Sequence, residues 1–169
     1  SKMAAHDFST AYRALLATMH KFKYDARTLD EFSFWLSSFD DSRADSQIEV
    51  PGQYTGARRP HIGEHAKIVG FDSTVVVLVS MRKPKRIVIR GSDEREAFWL
   101  AKSGDDLRGD ERVEQVFRAM NQLMARDPES RKRNLGIVTY RVIPMGLQVG
   151  LLEWVNGTAT LNGILDSQP

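Results

Sequence analysis

The chain has 169 residues, 24 of them basic and 22 acidic, with a formal charge of +2. That length can bury one respectable core, so one domain with an appendage is expected, and the near balance of charge points to no wholesale nucleic-acid or acidic partner. With no cysteine, disulfides and thiolate metal sites are excluded, no apolar run reaches the ~20 residues that span a bilayer, and the first residues show no signal-peptide pattern.

Phe8, Tyr12, Leu15, Leu16, Met19 and Phe22 fall at helical spacing and predict an amphipathic helix. Thr28 with Glu31 has the spacing of a capping box, and Leu29, Phe32, Trp35, Leu36 and Phe39 predict a second apolar helical face. Asp40 to Gln47 is polar and poor in structure. It sets the expected boundary between a helical segment, 1–45, and the main domain, 46–169.

Beyond it the period changes. AKIVGF (66–71), TVVVLVS (74–80), KRIVIRG (85–91) and EAFWLAK (96–102) are β-branched and aromatic runs separated by turn residues, and predict strands. Val113, Val116, Phe117, Met120, Leu123 and Met124 predict one long helix, and IVTYRVIP and GLLEWV two last strands. An antiparallel sheet of five or more strands with one long helix is an α+β architecture.

Between the fourth strand and the long helix lies FWLAKSGDDLRGDERVEQVF, from Phe98 to Phe117. Lys102 ends an apolar strand, Ser103-Gly104 breaks it, and Asp105, Asp106, Asp110 and Glu111 follow before the helical stripe. A cation on a strand end can reach phosphate oxygens while a nearby carboxylate holds it, and such charge-assisted bonds are worth ~1.5–3 kcal/mol each. The plainer reading is a surface lysine before a helix start, where acids favour the dipole. The turn SMRKPKR (80–86) reads as a solvated basic turn, a phosphate-covering hairpin, or a nuclear-localisation or nucleic-acid patch. HIGEH (61–65) matches a zinc-protease spacing, but Pro60 and Gly63 argue for a loop, and it is taken as a coincidence. Trp154, in an apolar run, reads first as a core residue. RDPESRKR (126–133) reads as the end of the long helix followed by a solvated loop.

The wording of these segments narrows the choice. AKSGDDLRGDERVEQVF resembles the K-G-x-[ED]-D-L-R-Q-D-x-R-V-x-Q-L-F signature of the phosphatidylinositol 3-kinase-related protein kinases. IEVPGQYTG (48–56), MRKPKRIVIRGSDERE (81–96), TYRVIPM (139–145) and GLLEWVNGTATL (150–161) resemble further segments of that family, in the family's order. Gly109 stands where the family usually has Gln, and no Asp-Arg-His or Asp-Phe-Gly run follows.

The resemblance implies a kinase small lobe and hinge, with ATP and Mg2+ as cofactors. It makes Lys102 the catalytic phosphate ligand, oriented by Asp105 or Asp110. Ser80 and the backbone near Met81 would cover the triphosphate, and Trp154 would pack on adenine between the Glu153 carbonyl and the Val155 N–H. Leu152 would lie at the back of the pocket, with Leu78, Leu100, Tyr140 and Thr160 lining it. The metal ligands and catalytic base would belong to a large lobe not contained in this stretch, so the fragment alone is expected to be inactive.

The likeness lies nearest the DNA-activated branch of the family. That implies a nuclear serine/threonine kinase of double-strand break repair by end joining, with protein substrates and DNA-end-bound repair factors as partners. No direct nucleic-acid site and no membrane contact are expected in this stretch. The rival readings are a non-catalytic docking or scaffold module and a lipid kinase of the same superfamily.

Overall fold

Alternating β-branched residues dictate most of what is seen in the computed structural model, which describes residues 24–43, 47–54, 56, 59, 61–158 and 165. The strands are β1 (Tyr24–Thr28), β2 (Ile68–Phe71), β3 (Thr74–Leu78), β4 (Lys85–Gly91), β5 (Glu96–Ser103), β6 (Val142–Gly146) and β7 (Val149–Glu153). They form one seven-stranded sheet in the order β1-β3-β4-β5-β7-β6, all pairs antiparallel. β2 and β3 lie end to end along β4: Phe71 faces Ile89, and Val76 faces Arg86. The expected α+β sheet with one long helix is therefore present. Among the described residues its helices include α1 (Phe34–Ser37), α2 (Arg108–Arg126) and α3 (Pro128–Lys132).

One face of the sheet carries the core. Ile68, Ile89 and Trp99 are buried together, with Phe39, Val50, Phe71, Ile87, Ala97, Ile143 and Leu151 packed around them. Trp99 is 1 % exposed. Burying aliphatic or aromatic side chains of this size stabilises by ~1.5–3 kcal/mol each. The segment Ile48–Gln53 is fastened to the start of β2 by the Gln53 amide. Its Nε2 donates to the carbonyls of Val50 and Ala66, both at 2.9 Å, and its Oε1 accepts from Ala66 N–H at 2.8 Å.

Several boundaries differ from the sequence expectation. The helix expected from Thr28 to Phe39 is instead a 3-10 turn, Leu29–Glu31, followed by the four-residue α1. Glu31 does accept from the Thr28 N–H at 3.1 Å, but Ser33 then takes an extended backbone and accepts from Leu36 N–H at 3.2 Å, restarting the chain. Side chains that offer the backbone a local partner break helices in this way. Strand β1 was not expected at all: it is an edge strand with Asp25 and Arg27 in it, and charged edges carry little β signal. The expected helix Phe8–Phe22 lies outside the described residues.

The loop expected after α2 is also different. Asp127 caps α3, accepting from Ser130 N–H at 2.8 Å, with Pro128 in its first turn, a position where proline's missing N–H costs nothing. The expected strand from Ile137 begins only at Val142. Before it, Asn121 of α2 brackets Ile137, donating to its carbonyl and accepting from its N–H, both at 2.8 Å. Ile62–Glu64 is a single 3-10 turn, and His65 Nδ1 beyond it lies 3.0 Å from Glu49. Helix α2 meets the sheet mainly at β6, so Val113, Val116, Met120 and Leu123 of its apolar stripe stay exposed rather than facing the sheet.

β1 shields the edge of β3, where Val75 is 1 % exposed, and Leu29 is 2 % exposed beside it. Deleting residues 1–40 is therefore expected to uncover an apolar strand edge, lower the thermal midpoint and promote aggregation. Light scattering and a thermal melt check this, and an equally stable monomer would refute it.

Candidate functional site

Strand register decides which side chains share the second face. Residues two apart on a strand point the same way, and directly paired residues share a face. Val76 pairs with Arg86, Arg86 with Leu100, Leu100 with Leu152, and Lys102 with Gly150. Leu78, Leu100, Lys102 and Leu152 thus stand on one face, opposite Trp99. Four of the residues singled out from sequence are brought together here by pairing alone.

At one end of this face the chain leaves β5 through Gly104, whose φ of +83° favours glycine. The turn brings Asp105 back under its strand: Lys102 Nζ lies 2.8 Å from Asp105 Oδ2. The lysine's hydrogen bond holds the Asp105 carboxyl below its ordinary pKa, and the charge of Arg82 adds to that. Arg82, at the tip of the hairpin, approaches the same carboxylate with Nη2 3.6 Å from Oδ1 and packs over Gly104. Two cations thus converge on one carboxylate. The hairpin itself is closed by Lys83 N–H donating to the Ser80 carbonyl at 3.2 Å, with Met81 99 % exposed at its tip.

The helix start is anchored from below. Leu107, at the N-cap of α2, is fully buried and seats against Gly150. A Cβ there would lie 2.8 Å from Leu107 Cδ1 and 2.5 Å from the Ile143 carbonyl oxygen. Only glycine lets the helix start approach β7 this closely.

Asp110 lies in the first turn of α2. Tyr140 is brought to this region by the pinned loop. Its N–H donates to Glu114 Oε2 at 3.2 Å, and Glu114 is 4 % exposed. Burial pushes the Tyr140 phenol up, the Glu114 and Asp110 carboxylates push it further, and Lys102 opposes them. Of the two acids expected to orient Lys102, Asp105 is the one paired with it, whereas Asp110 acts on the field at Tyr140.

At the other end β7 runs into Trp154, whose N–H donates to the Phe98 carbonyl at 2.9 Å. Glu153 N–H donates to the Arg141 carbonyl at 2.8 Å, and its carboxylate accepts from Arg141 N–H at 2.9 Å. The Arg86 guanidinium lies 5.4 Å from the centroid of the Trp154 ring and 6.0 Å from that of Phe98. A cavity of about 510 Å³ lies beside this turn, lined in part by Val50, Gln53, Ala97, Trp99, Arg141 and Trp154. Of the described residues expected from sequence to contact ATP, only Glu153 and Trp154 line it, so it is not the space under Lys102. Val155 follows Trp154, just before the turn at Asn156 and Gly157, and Thr160 lies outside the described residues.

Sequence reasoning missed Arg82, Arg86 and Glu114. The signal for Glu114 was its place four residues after Asp110, on the same helical face. The arginines were visible only as members of a basic run. Among the described residues no group of three or more His, Asp or Glu side chains could hold a metal ion.

Comparison with known proteins bears on this arrangement. Residues 99–169 match the family described as phosphatidylinositol 3- and 4-kinase. Over 163 residues the chain is 44 % identical to the DNA-dependent protein kinase catalytic subunit of Mus musculus, covering 96 % of this chain and 4 % of that protein. Over 142 residues it is 45 % identical to the protein of the same name from Dictyostelium discoideum, covering 83 % of this chain and 3 % of that one. Among solved structures, the FAT and kinase domain of CtTel1 superposes with a TM-score of 0.56 at 35 % identity, covering 70 % of this chain and 8 % of that one. The chain spans about 4 % of the length of the Mus musculus relative.

Proposed function

The chain belongs to the phosphatidylinositol 3-kinase-related protein kinases, and on that premise we propose that it forms the ATP-binding small lobe and hinge of a serine/threonine protein kinase. The observation that carries this reading is the Lys102–Asp105 pair at 2.8 Å, on the same sheet face as Leu100 and Leu152. A lysine fixed by a carboxylate at the end of an apolar face is what phosphate contact beside a buried base requires.

In this reading Lys102 holds the α and β phosphates, and Asp105 orients it. Ser80 and the backbone near Met81 cover the triphosphate. The base packs on Trp154 between the Glu153 carbonyl and the Val155 N–H, with Leu78, Leu100, Tyr140, Leu152 and Thr160 around it. The small lobe and hinge occupy 46–169, and the residues up to 45 lead into it, contributing β1 to its sheet. Mg2+ would be held by residues beyond this stretch, as would the catalytic base. Phosphoryl transfer depends on positioning and electrostatic stabilisation, so the chain alone is expected to bind ATP without transferring phosphate.

The parent protein is read as a nuclear kinase of double-strand break repair by end joining, acting on protein substrates with DNA-end-bound factors. The names of relatives support the DNA-dependent and the serine/threonine protein kinase parts of this reading. The same names favour a protein kinase over a lipid kinase.

The test is calorimetric titration of the chain with ATP. Wild type is expected to bind, and Trp154→Ala to bind more weakly by roughly 5- to 150-fold, since base–aromatic stacking is worth ~1–3 kcal/mol per base. Absence of binding, or binding indifferent to both Trp154→Ala and Lys102→Met, would overturn the proposal.

A further inference from the structure

Arg86 has no place in the ATP reading so far, yet its surroundings are unusual. It lies on β4, directly paired with Leu100, so it stands on the face of Leu100, Lys102 and Leu152. Its guanidinium is held over two aromatic rings, 5.4 Å from the Trp154 centroid and 6.0 Å from that of Phe98. Its Nε is buried and has no hydrogen-bond partner among the described residues. Buried donors are almost always paired, and one left unpaired in a native structure calls for a reason.

Leaving Nε unpaired costs stability that an aliphatic residue would not lose, so a hydrogen bond from Nε does not account for an arginine here. What remains is the stack. A planar, weakly hydrated guanidinium lies flat on an indole in a way an ammonium does not, and the attraction strengthens where water is excluded. Trp154 itself lies just past the last residue of β7, where the pairing with β5 ends. Its backbone N–H donates to the Phe98 carbonyl, and the cation over its ring belongs to β4, in the middle of the sheet.

We infer that Arg86 is a positioning residue for purine binding: its guanidinium stacks on one face of Trp154 and presets the indole, leaving the other face for the base. This rests on the ATP reading. It adds that the platform is held from the sheet and not by the hinge backbone alone. A preset ring reduces the ordering cost of binding, so the loss of Arg86 should weaken nucleotide affinity without touching the phosphate end.

The test has two readouts on the whole chain. The first is the indole N–H spectrum without nucleotide, in which the Trp154 signal is assigned by its loss in Trp154→Phe. Arg86→Met keeps the apolar stem and is expected to shift the Trp154 signal while leaving that of Trp35 in place. The second is ATP affinity, which Arg86→Met should lower by about 2- to 30-fold, the span of an exposed to desolvated cation–π contact. Arg86→Lys, which keeps a charge, should fall between, and it serves as the decisive variant if Arg86→Met does not fold. An unmoved Trp154 signal, or a moved signal with unchanged ATP affinity, overturns the role of Arg86 alone. If wild type binds no ATP, the ATP reading fails and this role with it.

Discussion

Lys102→Met, in a chain extended to the complete kinase, is expected to lower kcat by about 10²–10³-fold, the ~2.7–4 kcal/mol typical of losing one preorganised electrostatic stabiliser. The substitution keeps the apolar stem of the side chain on the face of Leu100 and removes only the charge. The Michaelis constant for ATP should change little, because the proposed hinge at Trp154 lies at the other end of the face and is untouched. The geometry adds a refinement. Arg82 also approaches Asp105, at 3.6 Å, so the carboxylate keeps a cation when Lys102 is lost and the local fold should survive. Asp105→Asn should therefore be milder than Lys102→Met, since it frees the lysine without removing it. Trp154→Ala should give the opposite split, raising the Michaelis constant more than it lowers kcat. Steady-state ATP titrations and a thermal melt of each variant check this. Near-normal turnover of a folded Lys102→Met would show that this lysine is not the phosphate ligand.

How much of this was legible in the sequence follows from the range of the forces involved. β4 and β5 read true to within a residue, because their alternation is strong and both are flanked by turn residues. β1 was illegible: two of its five residues, Asp25 and Arg27, are charged, and its pairing partner β3 lies some fifty residues away. The stretch before β6 looked like a strand from its β-branched residues, yet Asn121 and Glu114 of α2 take backbone groups that a ladder would have used.

The site divides in the same manner. Lys102 and Asp105 are three residues apart across one turn, so local sequence placed them together. Arg82 reaches Asp105 from another hairpin, and Arg86 reaches Trp154 across two strand pairings. Contacts of that kind depend on register, which no local pattern contains.

The second large effect concerns how the helix start is held. Leu107 is fully buried between Asp105 and the body of α2, so its truncation should be felt both in stability and at Lys102. Leu107→Ala is expected to cost ~2–5 kcal/mol, as for other core truncations, or roughly 5–20 °C in thermal midpoint at this size. Gly150→Ala attacks the same contact from the other side. Its added Cβ would fall 2.8 Å from Leu107 Cδ1 and 2.5 Å from the Ile143 carbonyl oxygen, and overpacking of this kind costs ~1–3 kcal/mol. The two changes are in contact, so they should not add. In the double variant the smaller side chain at 107 makes room for the new methyl, and only the crowding against Ile143 remains. The double variant should therefore be more stable than the sum of the single losses predicts. ATP affinity should fall in Leu107→Ala, because the turn that carries Asp105 loses its anchor. Thermal melts of the four proteins give the coupling directly. Strictly additive losses would mean that Leu107 and Gly150 do not share the contact described, and that the helix start is held to the sheet by something else.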